Sequence, residues 1–295
     1  MQYLPTAYGD ESGRENFNYV MAVYIGTAQW WKDFEAGWNL ALEKCGLTEW
    51  HADHCEDGIG EFAGRDDREE LKGIFAELIH GSPLYGVAVA LDLRSHDSVR
   101  HRFAAIHDQA RQADPYMLVW QRAVQYIAEM VQRSDLPSDE VVNFVFDSGS
   151  GYEGHTVNAF KALQTRRWPA SVWLGNITHA SSYRFPGLQA ADYLAFETRK
   201  ATEEIWFPSP STAARPQYGT LMENGRTVLV AMDKERIDEI LDAFEEAARQ
   251  DLLNRAMTEL SHRSMPHIGI MECTWDEPWA RVSHSIRFSP EEVLE

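Results

Sequence analysis

The sequence predicts an α/β fold: a three-layer domain with a mixed sheet between helices, followed by a C-terminal extension. Two observations predict it. Short apolar runs alternate with segments of helical spacing over residues 1–207, the pattern of a sheet covered on both faces. One of those runs, VVNFVFDSGSG, has the apolar character of a central parallel strand and is stopped by Asp147 and two glycines. At 295 residues with 44% apolar composition the chain can bury a sizeable core. No stretch approaches the ~18 unbroken apolar residues of a membrane span.

The elements follow in order. YLPTAYGD is a short strand with a proline near its start and FNYVMAVYIGT a second; the turn-rich SGREN between them predicts an antiparallel hairpin. TAQWWKDFEAGWNLALEKCG spaces Trp31, Phe34, Trp38 and Leu42 along one helical face and closes at Gly46, which makes its aromatics core. EWHADHCED reads as a short extended piece ending in an acidic, glycine-containing loop. DDREELKGIFAELIHG is a helix capped by Asp66 or Asp67 and closed by Gly81. LYGVAVALDL is a buried strand, and residues 96–133 are a helical stretch that Pro115 divides. After VVNFVFD come the helix HTVNAFKALQTRR, the strand ASVWLGNITHA and the helix FPGLQAADYLAFETRKATEEIW. Beyond the Pro- and Ser-rich WFPSPSTAARP, residues 208–295 read as an extension with a strand-like RTVLVAM and an acidic amphipathic helix, a cover or a homo-oligomer contact.

The N-terminus MQYLPTAYGD lacks a basic segment and an apolar signal core, so a cytoplasmic protein is expected. Cys45, Cys55 and Cys273 are odd in number and have no CxxC spacing, which predicts reduced structural thiols. The net charge of −19 opposes any scheme in which the whole surface attracts nucleic acid. A nucleic-acid substrate then needs a local basic patch, for which Arg94, Arg100, Arg102, Arg111, Arg166, Arg167, Arg184 and Arg199 are the candidates, unless they are scattered solvated arginines.

Three acids share a design. Asp10 and Asp147 stand at strand ends, and Asp192 lies on a helix whose neighbouring residues are small or apolar. Parallel neighbouring strands place Asp10 and Asp147 at one sheet edge, where open α/β sheets hold their ligands. Gln189 and Asp192, three apart, share a helical face, and Ala191 and Ala195 let that helix lie close on the sheet. Three or four converging carboxylates suit Mg²⁺ or Mn²⁺, and two such ions about 3.5–4 Å apart can clamp the attacking and leaving oxygens of a phosphoryl transfer. Glu11 points to the opposite face unless the turn at Ser12 and Gly13 swings it back. In an extended HADHCE, His51, Asp53 and Cys55 share one face, set for metal binding or proton transfer, or His51 is a structural histidine. His155 faces the site or caps the following helix, and Ser148 and Ser150 lack the GxSxG elbow of a hydrolase.

YGDESG at 8–13, HADHCEDGIGEF at 51–62, VFDSGSG at 145–151 and GLQAADYLAFE at 187–197 together resemble the bacterial family catalogued as domain of unknown function 3800. The resemblance spans residues 5–200, with Asp10, Glu11, Gln189 and Asp192 at the family's Asp-Glu and Gln-x-x-Asp positions. It implies a ribonuclease H-like fold whose acidic metal cluster draws an aspartate from the first strand, an acid from the end of the fourth and another from a late helix, here Asp10, Asp147 and Asp192. The helix at 27–45 departs from the simplest such order, and the acid of the first helix has only Glu35 and Glu43 as counterparts.

The expected function is a metal-dependent phosphodiesterase or nuclease, with Asp10, Glu11, Asp147 and Asp192 catalytic, Asp10, Asp147 and Asp192 holding Mg²⁺ or Mn²⁺, and Gln189 and His51 binding substrate. The alternatives are a non-catalytic protein-binding or regulatory module on the same fold, and a hydrolase of a small nucleotide substrate.

Overall fold

The computed structural model describes residues 5–14, 17–106, 114–133, 141–165, 168–208, 215–239 and 242. In chain order they form β1 (Thr6–Arg14), β2 (Asn18–Gly26), α1 (Ala28–Cys45), α2 (Ala52–Asp57), α3 (Arg68–His80), β3 (Tyr85–Asp92), α4 (Leu93–Ile106), α5 (Pro115–Arg133), β4 (Val142–Asp147), α6 (Glu153–Thr165), β5 (Leu174–Ala180), α7 (Pro186–Trp206), α8 (Pro216–Glu223) and β6 (Thr227–Met232). The sheet order is β5-β4-β1-β2-β3-β6. β2 runs antiparallel to β1 and β3, while β4 is parallel to β1, β5 to β4 and β6 to β3. The α/β class, the mixed sheet and the covering of both faces are as the sequence predicts.

Alternation along the strands splits the core in two. Ala7, Met21, Val23, Val89, Phe144 and Phe146 face α5 and α6. Tyr8, Val20, Ala22, Tyr24, Ala88 and Ala90 face α1, α3 and α7. α1 follows its predicted bounds, because Thr27 caps its start by accepting from the Trp30 N–H and Gly46 closes it in the left-handed region at φ 67°.

Two expectations are corrected. β1 does not end at a turn after Asp10 but continues through Ser12 and Gly13 to Arg14, paired with β2 throughout. Glycines at 9 and 13 favour this, since a side chain there would strike the Phe146 and Tyr19 rings at 2.5 Å. HADHCED is not extended: residues 52–57 form α2, whose first N–H, on Ala52, is accepted by Asp192 Oδ2 at 2.9 Å. That cap arrives from 140 residues away, so no local signal could announce it. The strand-like RTVLVAM of the extension is β6. β6 adds to the sheet beside β3, and Arg215, just ahead of α8, makes two hydrogen bonds of 2.8 and 2.7 Å to Glu197, which is fully buried on α7. The acidic helix expected after β6 is described only over residues 234–239 and 242, which are helical; the rest of it, and the oligomer contact expected of it, lie outside the described residues.

α7 packs closely on β1 at Gly187. A Cβ at Gly187 would fall 2.5 Å from the Tyr8 ring, whereas Gly73, inside α3, has open space around its Cβ position. We therefore expect Gly187→Ala to lower stability by about 1–3 kcal/mol through overpacking. Gly73→Ala is expected to raise it by up to ~1 kcal/mol through helix propensity. Urea unfolding of the two variants measures both signs.

Candidate metal centre

The site is assembled from strand register, one close-packed helix and two tethered loops. β1 and β4 pair in parallel up to Gly9 opposite Phe146, so Asp10 and Asp147 come next, side by side at the same edge. Both point to the α7 side, as do Tyr8 and Ala22. α7 then brings Asp192 against them. Glu11 points to the opposite side, toward Tyr19 and Tyr116, whose hydroxyls its charge holds above their ordinary pKa, second to burial. β4 stops at Asp147 while β1 runs on. Glu11 therefore stands at an open edge, within electrostatic reach of Asp147 and Asp192.

All four carboxylates are half-buried, and the three aspartates accept backbone donors. Asp10 Oδ1 accepts the Glu11 N–H at 2.7 Å, Asp147 Oδ1 the Ser182 N–H at 2.9 Å, and Asp192 Oδ2 the Ala52 N–H at 2.9 Å. Burial, followed by the charges of Asp192, Glu11 and Asp147, pushes Asp10 well above the usual carboxylate range. Burial and then Asp147 lift Glu11 to about 7. Burial lifts Asp192 to about 6 against the opposing pull of the Ala52 N–H and His51. Burial also raises Asp147, opposed by the Ser182 and Ser148 N–H groups. Burial leads the causes of the shift in each of the four, and no lysine or arginine is among the principal ones.

Gln189 lies one turn ahead of Asp192 and is only 2% exposed. Its Oε1 accepts from Trp38 Nε1 at 2.8 Å and from the Trp50 N–H at 3.0 Å, and its Nε2 donates to the Ser182 carbonyl at 3.0 Å. The amide thus joins the two loops that hold Asp192 and Asp147, with both of its ends bonded within the protein. His51 stands at the rim, half-exposed, with Nε2 3.3 Å from Glu49 and its ring 4.8 Å from that of His54. Because α2 is a helix, Asp53 is exposed while Cys55 is buried, its thiol pushed up to about 11, so His51, Asp53 and Cys55 share no face. His155 is exposed on α6. Glu35 approaches Tyr8 from α1, and Glu43 is exposed. Ser182 and Trp50 are supporting residues that the sequence did not single out, and Trp38 was read only as core; only the folded chain brings the three to Gln189.

Comparison with protein-family models, curated proteins and solved structures returned no match. The assignment of the site therefore rests on its chemistry. Among the described residues no three His, Cys, Asp or Glu side chains form a ready-made metal cage. The donor set nonetheless fits a hard divalent cation: it is all oxygen, and Asp147 and Asp192 each place one oxygen on a backbone N–H.

The raised acids fix a pH dependence. Glu11 and Asp192 titrate near 7 and 6 in the folded chain, against 4.5 and 3.8 as ordinary groups, so the folded state binds more protons between about pH 4 and 7. Stability of the chelated protein should accordingly fall as pH rises through that window. Asp10→Asn, which removes one of the repelling charges, should flatten the slope and be more stable than wild type at pH 8. Thermal melts in EDTA from pH 4.5 to 8 check this, and a slope of opposite sign would refute the charge repulsion.

Proposed function

We propose that the chain is a divalent-metal-dependent phosphodiesterase of the nuclease kind, built on a ribonuclease H-like sheet. One observation carries this reading: carboxylates from β1, β4 and α7 gather at one sheet edge, where burial and one another's charges raise their proton affinity. Such a concentration of like charge opposes folding unless a cation is bound. The fold reading is supported by a mixed sheet with an aspartate on the first strand, one ending the fourth and one on a late helix. That is the arrangement the family resemblance implies. β6 and the placing of α1 between β2 and β3 are additions to its simplest form.

A Mg²⁺ or Mn²⁺ ion held by Asp10, Asp147 and Asp192 would supply the positive charge that stabilises a phosphoryl group under attack. The chain's own residues do the rest. The Ser182 and Ala52 N–H groups each hold one oxygen, of Asp147 and Asp192 respectively, and Gln189 locks the two loops that carry those donors. Glu11, on the open side of the edge, accepts the proton of the attacking water; a carboxyl held near 7 is matched to proton transfer at neutral pH. His51 offers a ring nitrogen to a phosphate oxygen at the rim.

Mn²⁺ at about 100 times its Kd should raise wild-type stability by about 2.7 kcal/mol, and the gain should vanish in Asp10→Asn. Hydrolysis of bis(4-nitrophenyl) phosphate should require the ion and fall at least ~100-fold in Asp10→Asn and Asp192→Asn. Wild-type turnover in either variant, or in excess EDTA, would sink the assignment.

A further inference from the structure

We propose that Tyr183 and Arg184 form the lip on which the acid site receives its substrate, the tyrosine ring stacking on a base and the guanidinium holding the adjacent phosphate of a single-stranded nucleic acid. This rests on the phosphodiesterase reading and narrows its substrate class.

The two residues occupy a 3-10 turn, Ser182–Arg184, between β5 and α7. Its backbone is clamped from both sides by the site itself. The Ser182 N–H donates to Asp147 and the Ser182 carbonyl accepts from Gln189. Internal hydrogen bonds close the turn, Arg184 N–H to the Ser181 carbonyl and Phe185 N–H to the Ser182 carbonyl. Phe185 then packs its ring 6.0 Å from that of Tyr8, two residues before Asp10. A segment so fixed holds its intervening side chains at a set distance from the acids, yet those side chains are turned outward: Tyr183 is 62% exposed and Arg184 is exposed beside it.

Arg184 differs from the other candidate arginines whose side chains are described. Arg94 bonds the Trp206 carbonyl and lies over the Phe207 ring, Arg102 pairs with Asp238 and Asp242, and Arg199 bonds Ser12 and Glu203. Arg184 has no side-chain partner among the described residues, in a chain where acids outnumber bases by nineteen. An unpaired guanidinium next to an exposed aromatic, both held beside a cation-demanding acid cluster, provides a planar stacking surface and a phosphate contact one residue apart. A stacking surface of this kind takes bases that are already unstacked, so a single strand fits and a duplex, whose bases are stacked on one another, does not.

The test is fluorescence-anisotropy binding of a labelled oligo(dT), an oligo(U) of equal length and the corresponding DNA duplex, with Ca²⁺ in place of Mn²⁺ to hold turnover off. The single strands should bind more tightly than the duplex. Tyr183→Ala should weaken single-strand binding about fivefold or more while Tyr183→Phe retains it, because stacking needs the ring and not the hydroxyl. Arg184→Ala should reduce the slope of log affinity against log salt by about 0.7, one phosphate contact on a single strand, and Arg184→Lys should keep it. Equal affinity for the duplex, or wild-type affinity and salt slope in both alanine variants, would overturn the proposal. Turnover of bis(4-nitrophenyl) phosphate separates the two readings: unchanged oligonucleotide binding in the variants with small-diester turnover intact rejects the lip alone, and no turnover in wild type rejects the enzyme.

Discussion

Gly187 of α7 and Tyr8 of β1 meet with no room for a methyl group between them, and much of the molecule is arranged around that contact. With α7 seated on β1 and β2, one helix reaches every piece of the sheet face it covers. Asp192 caps α2, Gln189 ties α1 to the loop at Trp50 and to the turn at Ser182, and the Tyr193 hydroxyl donates to the Lys72 carbonyl of α3. Glu197 grips Arg215 at the approach to α8. The acid edge is thus one outcome of a packing decision that also sets helix starts, loop positions and the entry to the last strand.

The same contact explains how a cluster of like charges survives. Half-buried carboxylates raise one another's proton affinity and weaken the folded state above their ordinary titration range. Against this stand two apolar layers, with Trp38, Trp50 and Phe75 packed ring to ring beneath α7 at centroid distances of 4.7 and 4.3 Å. Backbone donors offset part of the repulsion locally, since each of Asp10, Asp147 and Asp192 accepts an N–H. The geometry of the edge is therefore held by groups other than the carboxylates themselves.

Much of this was legible in the sequence because it depends on local pattern. The Trp31–Leu42 spacing, the Gly46 and Gly81 stops and the Pro115 break are encoded where they act. So is the parallel strand ending in Asp147, which places two of the acids beside each other once its neighbour is known. What escaped depends on contacts across the chain. α2 looks extended locally because its cap is supplied by Asp192, and β1 looks finished at Asp10 because its continuation is fixed by ring contacts with Tyr19 and by pairing with β2. The contacts of Gln189 were not legible: a polar residue in a motif says nothing of which way its amide points, and here both ends are spent on Trp38, Trp50 and Ser182.

β6 gives the domain a property that its sequence position conceals. It lies farther from the acid edge in the sheet than any other strand, yet it is the strand that covers β3. A chain cut after α7 would keep all four acids and still bare the backbone donors and acceptors of β3, whose residues Val87, Val89 and Leu91 belong to the core. An uncovered edge of that composition is a template for joining another chain. β6 is in this sense a seal, distant from the acids and closing the edge of β3.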